Sequence, residues 1–198
     1  MKRISLIIIF LLTLNVATVV AQQSVVGFNY SMAFPSYDLN DHIGETSFRG
    51  ISVYNRLFIT DDFSVGTHIG WQVFKKRLEG TFSTDDGNDI SGTQVRYVNT
   101  FPLIFQAHHY LGESGSVRPY IGVGAGPMLA LRRTDIGIFA IQDNTLHFAV
   151  ASEIGIHIPM VAWSGINVSA RFDHAFGTDN SGMAYSYFTI NLGVFGFE

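Results

Sequence analysis

Between Leu146 and Ile158 the chain reads LHFAVASEIGIHI, and odd and even positions separate almost completely. Leu146, Phe148, Val150, Ile154, Ile156 and Ile158 share one parity, with Ser152 the small polar exception. His147, Ala149, Ala151, Glu153, Gly155 and His157 share the other. Successive side chains of a strand point to opposite faces, so this stretch predicts a strand with one apolar face. A water-soluble sandwich would bury that face and wet the other. Here the other face is small residues and one carboxylate, which suits the crowded inside of a narrow barrel. The apolar face is long enough to meet lipid, because about 9–11 tilted residues cross a bilayer.

Composition agrees with a membrane barrel. Charged residues are 14%, well under the roughly 25% of soluble domains. Aromatics are also 14%, and there are twenty glycines. After the N-terminus no segment stays apolar for the ~18 residues a spanning helix needs. Few charges with much Gly and aromatic, and no membrane helix, favour strands as the spanning elements. The chain of 198 residues has length for one domain, or two very small ones. With no cysteine, disulfides and thiolate metal sites are excluded. A formal charge of −4 gives no footing for nucleic acid.

Residues 1–21 read as a cleaved secretory signal. Lys2 and Arg3 precede an apolar run from Ile4 to Leu14, and Val19 and Ala21 fit cleavage before Gln22. Residues 22–198 then supply eight strand-like segments: Val25–Pro35, Ser47–Ile59, Phe63–Lys75, Thr93–Tyr110, Val117–Leu131, Leu146–Ile158, Gly165–Phe176 and Ala184–Phe197. Pro102 falls inside the fourth and predicts a bulge there, since proline cannot donate to the ladder. Connections alternate between short (60–62, 112–116, 159–164) and mostly longer and polar (36–46, 76–92, 132–144, 177–182). Short periplasmic turns and long outer loops are the habit of bacterial barrels, and an even strand number puts both termini in the periplasm. The expected fold is all-β: an eight-stranded, antiparallel, up-and-down transmembrane β-barrel. Phe34, Trp71, Tyr97 and Trp163 are the expected aromatic girdles.

Short motifs add a resemblance. Arg118-Pro119-Tyr120-Ile121-Gly122-Val123-Gly124-Ala125-Gly126, Glu153-Ile154-Gly155 and the terminal Asn191-Leu192-Gly193-Val194-Phe195 are similar to strands of the small eight-stranded outer-membrane barrels of Gram-negative bacteria, the OmpA/OmpX/OmpW-like group. The resemblance spans roughly residues 22–198 and implies an outer-membrane location, contact with outer-membrane lipid and lipopolysaccharide, insertion by the barrel-assembly machinery, and a monomer. Such barrels usually end on an aromatic residue, whereas this chain ends Phe195-Gly196-Phe197-Glu198, with both phenylalanines on the inward parity. A bulge near Gly193 or Gly196, or a last strand read one residue out of register, would reconcile the two.

An eight-stranded barrel is only just wide enough to be filled by its own side chains, so interior charges must be paired. The inward set includes Arg56, His68, Gln72, Arg96, Glu153, His157, Arg171 and Asp173. Counting from the turns predicts a row Glu153–Arg171–Asn191 at mid-height, with Arg56 or His68 reaching across. Such a row is either a structural plug or a gate that conducts when the pair opens. A structural or surface-interaction role, with an extracellular ligand taken by the long loops, is expected first; a narrow channel or small-ligand conduit is the alternative.

Other features carry less. Lys75, Lys76, Arg77, Arg132 and Arg133, with Arg49, cluster near outer strand ends and either snorkel to the interface or grip lipopolysaccharide phosphates. His108 and His109 are adjacent on a strand and point apart, so they are no chelating pair. Asp85-Asp86-Gly87-Asn88-Asp89 lacks the ligand spacing of an EF-hand. His174, with Asp179 and Ser181 in the next loop, is the one place a lipid-modifying activity could reside, but no spacing fixes a triad. No enzyme, cofactor or metal site is expected.

Overall fold

A computed structural model describes residues 23–83, 89–136, 139–161, 163–178 and 182–197. The signal-like segment, residues 85–88 of the acidic run, Asp179 and Ser181 lie outside the described residues. Eight strands appear: β1 (Ser24–Ser36), β2 (Ser47–Phe58), β3 (Phe63–Ser83), β4 (Asp89–Tyr110), β5 (Arg118–Ile136), β6 (Phe139–Val161), β7 (Ser164–Ala175) and β8 (Tyr185–Phe197), with one helix, α1 (Tyr37–His42). They pair in sequence order, all antiparallel, and β1 closes on β8 from Val25↔Phe197 to Ser36↔Ser186. The ring is a closed barrel.

Period-two patterning decides which way every strand faces. Along β6 the even positions 146–156 are exposed and the odd ones 147–157 are buried. Ile154, Val168 and Leu192, at 62%, 39% and 58% exposure, all look outward. Exposure of so much apolar side chain to water would forfeit about 25 cal/mol for each Å²; against hydrocarbon it costs nothing. Outward polar residues find partners on the wall itself: Trp71 Nε1 donates to Asn99 Oδ1 at 3.2 Å, which accounts for an asparagine on an otherwise apolar face.

Three features depart from expectation. Pro102 introduces no bulge. The β3–β4 ladder is interrupted at Gly70–Trp71 and resumes in the same register, Ile69↔Leu103 before and Gln72↔Thr100 after. The proline ring leans inward over Gly70, where an added Cβ would come within 3.0 Å of Pro102 Cγ, so the missing side chain absorbs the ring. Register shifts occur instead between Ser31 and Ala33 and between Pro159 and Val161. Phe195 is inward and 3% exposed, on a β8 strand that pairs with β1 and β7 without a shift. No bulge or slip is needed, because the ring belongs to the interior and stacks on His157 at 4.4 Å.

The third departure is larger. Residues 76–83, 89–92, 132–136 and 139–144 are strand rather than loop: β3 and β4 stay paired out to Ser83↔Asp89, and β5 and β6 to Ile136↔Phe139. These four strands run 21, 22, 19 and 23 residues, against 12 or 13 for the others. Pairing of β2 with β3 ends at Gly50↔Gln72, and pairing of β6 with β7 ends at Ala149↔Ala175. A four-stranded sheet therefore protrudes beyond the ring at the end opposite the termini. At about 3.3 Å per residue, seven or more additional residues carry it roughly 20 Å further. Beyond the bilayer no lipid selects one apolar face, so the alternation that marks the other strands fades here.

Candidate functional site: the filled interior

Two layers occupy the barrel, a charged one toward the termini and an apolar one toward the distal end. The charged layer begins with a register identity: Glu153 of β6 stands directly opposite Arg171 of β7. Glu153 Oε2 accepts from Arg171 Nη1 at 3.4 Å, and Oε1 accepts from Arg56 Nη2 at 3.3 Å across the barrel and from the Tyr120 hydroxyl at 2.6 Å. Arg171 Nε also donates to both oxygens of Asp173, at 3.0 and 2.9 Å. His108 Nε2 lies 3.8 Å from Glu153. Two guanidiniums thus face two carboxylates, and all four residues are at most 7% exposed.

Aromatic rings hold the cations in place. The Arg56 guanidinium sits over the rings of Tyr54 and Tyr120, at 4.5 and 4.3 Å from their centroids, and donates to the Tyr110 hydroxyl at 2.7 Å. Cation–π contacts of this kind strengthen when desolvated. His157 Nε2 lies 3.1 Å from Arg56 Nη1, placed to accept a hydrogen bond from it. Toward the termini, Arg118 packs on the Tyr110 ring at 4.9 Å and donates to the Asp61 carbonyl of the β2–β3 turn.

The sequence-expected members do not all meet. Arg56, Glu153, Arg171 and Asp173 converge as one network. Asn191 does not join it: β8 sets Asn191 opposite Ser169 and puts Thr189 opposite Arg171. Counting back through the β7–β8 connection misplaced it by two residues. Asn191 instead accepts from Ser31 Oγ at 2.6 Å and donates to Ser169 Oγ at 3.2 Å. His68 is inward and 6% exposed, standing between Tyr54 of β2 and Ile104 of β4. Arg96 stands apart at the distal end, donating to the His42 carbonyl at 3.1 Å.

The apolar layer carried little sequence signal. The chain leaves β1 through Tyr37, a non-glycine residue at φ 50°, and turns back as α1. Leu39 and Ile43, four residues apart and both fully buried, enter the barrel against Phe74, Val98, Met128, Met183 and Tyr185. The i, i+4 spacing of Leu39 and Ile43 was the available clue. The segment is too short and too polar to read as anything but a loop.

The five clustered cations fall on two faces. Lys75, Arg77 and Arg133 share the outward parity; Lys76 and Arg132 share the inward one. On the outside, Arg77 pairs with Glu79 at 2.9 Å, Arg133 with Asp135 at 2.7 Å, and Lys75 lies over the Tyr97 ring at 5.4 Å. His108 points inward and His109 outward, 3.9 Å from Asp62. His174 Nδ1 meets Ser186 Oγ at 2.7 Å. Ser186 is fully buried and, among the described residues, no carboxylate joins the two, so they are no assembled triad. No trio of His, Asp and Glu stands close enough to hold a metal among the described residues.

No family model matches the chain. No curated protein matches it in sequence either. Solved structures do match in shape. Outer membrane protein OprG from Pseudomonas aeruginosa aligns over 89% of this chain and 96% of its own at 9% identity, with a TM-score of 0.58. Ail, the attachment invasion locus protein of Yersinia pestis, solved with the heparin analogue sucrose octasulfate, aligns over 89% and 99% at 13% identity and a TM-score of 0.54. Neisserial surface protein A aligns over 88% and 96% at 12% identity and 0.51. At such identities the likeness speaks to architecture. With its closed ring, apolar exterior and these neighbours, the chain has the fold of the small eight-stranded outer-membrane β-barrels.

Proposed function

We propose that this chain is a sealed, non-enzymatic outer-membrane barrel that acts at the cell surface through its protruding sheet, with both termini in the periplasm. The observation that carries the reading is the doubly filled interior: an Arg56–Glu153–Arg171–Asp173 network on one level and a Leu39–Ile43 plug on the next. An eight-stranded barrel has little room beyond its own side chains, and here those side chains are both paired and packed. Conduction would require breaking two buried ion pairs and lifting α1.

The working surface is then the distal sheet. Its two margins, Phe74–Ser83 of β3 and Phe139–His147 of β6, lie beyond the ring pairing. Unpaired strand edges accept extended segments of other chains. Phe139, Ile141 and Leu146 stand exposed at about two-thirds on that margin. Outward Arg49, without an acid partner among the described residues, suits contact with outer-leaflet phosphates, whereas Lys75 is taken up by the Tyr97 ring. Ail itself is an attachment protein by name, and the shared architecture supports a surface role here.

The test is a pair of measurements on one variant. Joining Phe74 to Val98 and Leu131 to Asn144 through two-residue turns, at positions already opposite each other, removes the protruding sheet. Attachment of bacteria carrying the protein to cells or matrix should fall to background, while conductance in planar bilayers stays at the leak level for both forms. Steady single-channel currents through the unaltered protein would overturn the sealed reading. Attachment unaffected by the trimming would overturn the surface reading.

A further inference from the structure

At the base of the protruding sheet the inner wall breaks a rule of strand pairing. Lys76 of β3 stands directly opposite Arg96 of β4. Arg96 in turn faces Thr134 of β5, two residues from Arg132 on the same face. Three cations on three adjacent strands thus crowd one side of the sheet, all half-buried. Like charges directly opposite each other on a sheet are destabilising, and a rule broken without compensation in the fold marks a functional position.

Acid compensation is thin. Asp143, opposite Arg132 on β6, accepts from it at 3.2 Å. Arg96 is met by neutral acceptors, the His42 carbonyl at 3.1 Å and Gln94 Oε1 at 3.2 Å. Lys76 has no acid partner among the described residues. Its Nζ comes within 3.4 Å of where a Cβ on Gly44 would stand, so the left-handed turn at Gly44 (φ +64°) sets backbone directly over the ammonium. His42 roofs the same spot, with its Nε2 buried and unpartnered. Burial first, then the charges of Arg96, Arg132 and Lys76, push His42 down to about 4. Around neutral pH it is therefore an uncharged imidazole among cations, and among the described residues Asp143 is the carboxylate paired on that wall.

We propose that Lys76, Arg96 and Arg132, roofed by α1 and His42, form an oxyanion cradle that binds a phosphate or sulfate group entering from the distal mouth. Guanidinium forks suit tetrahedral oxyanions with several acceptor oxygens, and one dianion would offset the excess positive charge that Asp143 leaves. This cradle is separate from the outward Lys75, Arg77 and Arg133, two of which have acid partners of their own. It goes beyond the sealed-barrel reading and stands whether or not the sheet edges dock a partner.

The experiment uses the full barrel refolded in zwitterionic micelles and titrated calorimetrically with inorganic phosphate, inorganic sulfate and sucrose octasulfate, alongside thermal unfolding. Saturable binding with a raised melting temperature is expected. Lys76→Gln and Arg96→Gln should each weaken it about tenfold, the loss expected for one charge-assisted contact. Lys75→Gln, its outward neighbour, should bind like the parent. Without anion, Lys76→Gln should melt no lower than the parent, because it relieves repulsion; Arg96→Gln has no such clean reference, since it also frees the His42 carbonyl. Repeating the titration in nanodiscs with and without anionic phospholipid assigns the source. Competition by the lipid makes a headgroup the occupant, and undiminished binding makes it a soluble phosphorylated or sulfated molecule. Absence of saturable binding overturns the cradle. So does equal weakening by Lys75→Gln, or a clearly lower melting temperature for anion-free Lys76→Gln.

Discussion

Glu153→Gln is the sharpest single perturbation of the interior. Glutamine keeps the shape of the side chain and can still bond the Tyr120 hydroxyl, but it removes the negative charge between Arg56 at 3.3 Å and Arg171 at 3.4 Å. Two buried guanidiniums are then left with Asp173 alone. Removing one partner of a buried pair costs about 3–5 kcal/mol. The lower end applies here, because Asp173 still takes Arg171 through both oxygens and Tyr54 and Tyr120 still flank Arg56. About 3 kcal/mol is a change of roughly a hundredfold in the folding equilibrium. Reversible denaturant unfolding in lipid vesicles, read by fluorescence of Trp71 and Trp163, measures it. Arg56→Gln added to Glu153→Gln should recover part of the loss, because charge balance returns, and the double-mutant cycle gives the coupling. Conductance should stay at the leak level throughout. A variant as stable as the parent would refute the pairing argument. One that conducts would show that the pair gates.

Three further outcomes follow from the same geometry. The His42 ring, held at about 4 in the folded chain against ~6.5 when unfolded, resists protonation, so its contribution is intact above that unfolded value and is lost as pH falls toward 4. Amide protection factors in α1, corrected for the intrinsic pH dependence of exchange, should therefore fall between pH 7 and pH 4.5, on the order of that window, and His42→Gln should flatten the fall; an unchanged fall in the variant contradicts the assignment. Phe195→Ala should cost about 3–5 kcal/mol in the same unfolding assay, since the ring is buried against His157 at 4.4 Å; a loss below about 1 kcal/mol would mean the ring is not interior. Gly126→Ala should cost about 1–3 kcal/mol by forcing strands apart, because its Cβ would stand 2.1 Å from the Leu103 carbonyl oxygen; an unperturbed melting temperature would show that β4 and β5 are not in contact there.

What could be read in advance depended on the solvent each face meets. Within the bilayer, lipid outside and crowding inside impose opposite demands on alternate residues, so Ile154, Val168 and Leu192 announced their face and Glu153 its partner Arg171. Past the bilayer both faces of the sheet meet water, and residues 76–83 and 132–144 carry no alternation to detect. Long-range counting failed where a connection intervenes, which is why Asn191 faces Ser169. The plug was hidden because Leu39 and Ile43 are two apolar residues in a polar connection, and nothing local says they turn inward. The outward and inward split of Lys75 and Lys76 follows from parity alone, once the strand is known to continue past Lys75.

The central claim is that the apolar faces look out at hydrocarbon while paired charges fill the middle. Because the chain has no cysteine, single substitutions Ile154→Cys, Val168→Cys and Leu192→Cys can each carry one fluorophore in a bilayer containing acyl-chain nitroxide lipids. Strong quenching is expected at all three, and weak quenching at the inward control Ser169→Cys. Quenching at Ser169 with protection at Ile154, Val168 and Leu192 would contradict it.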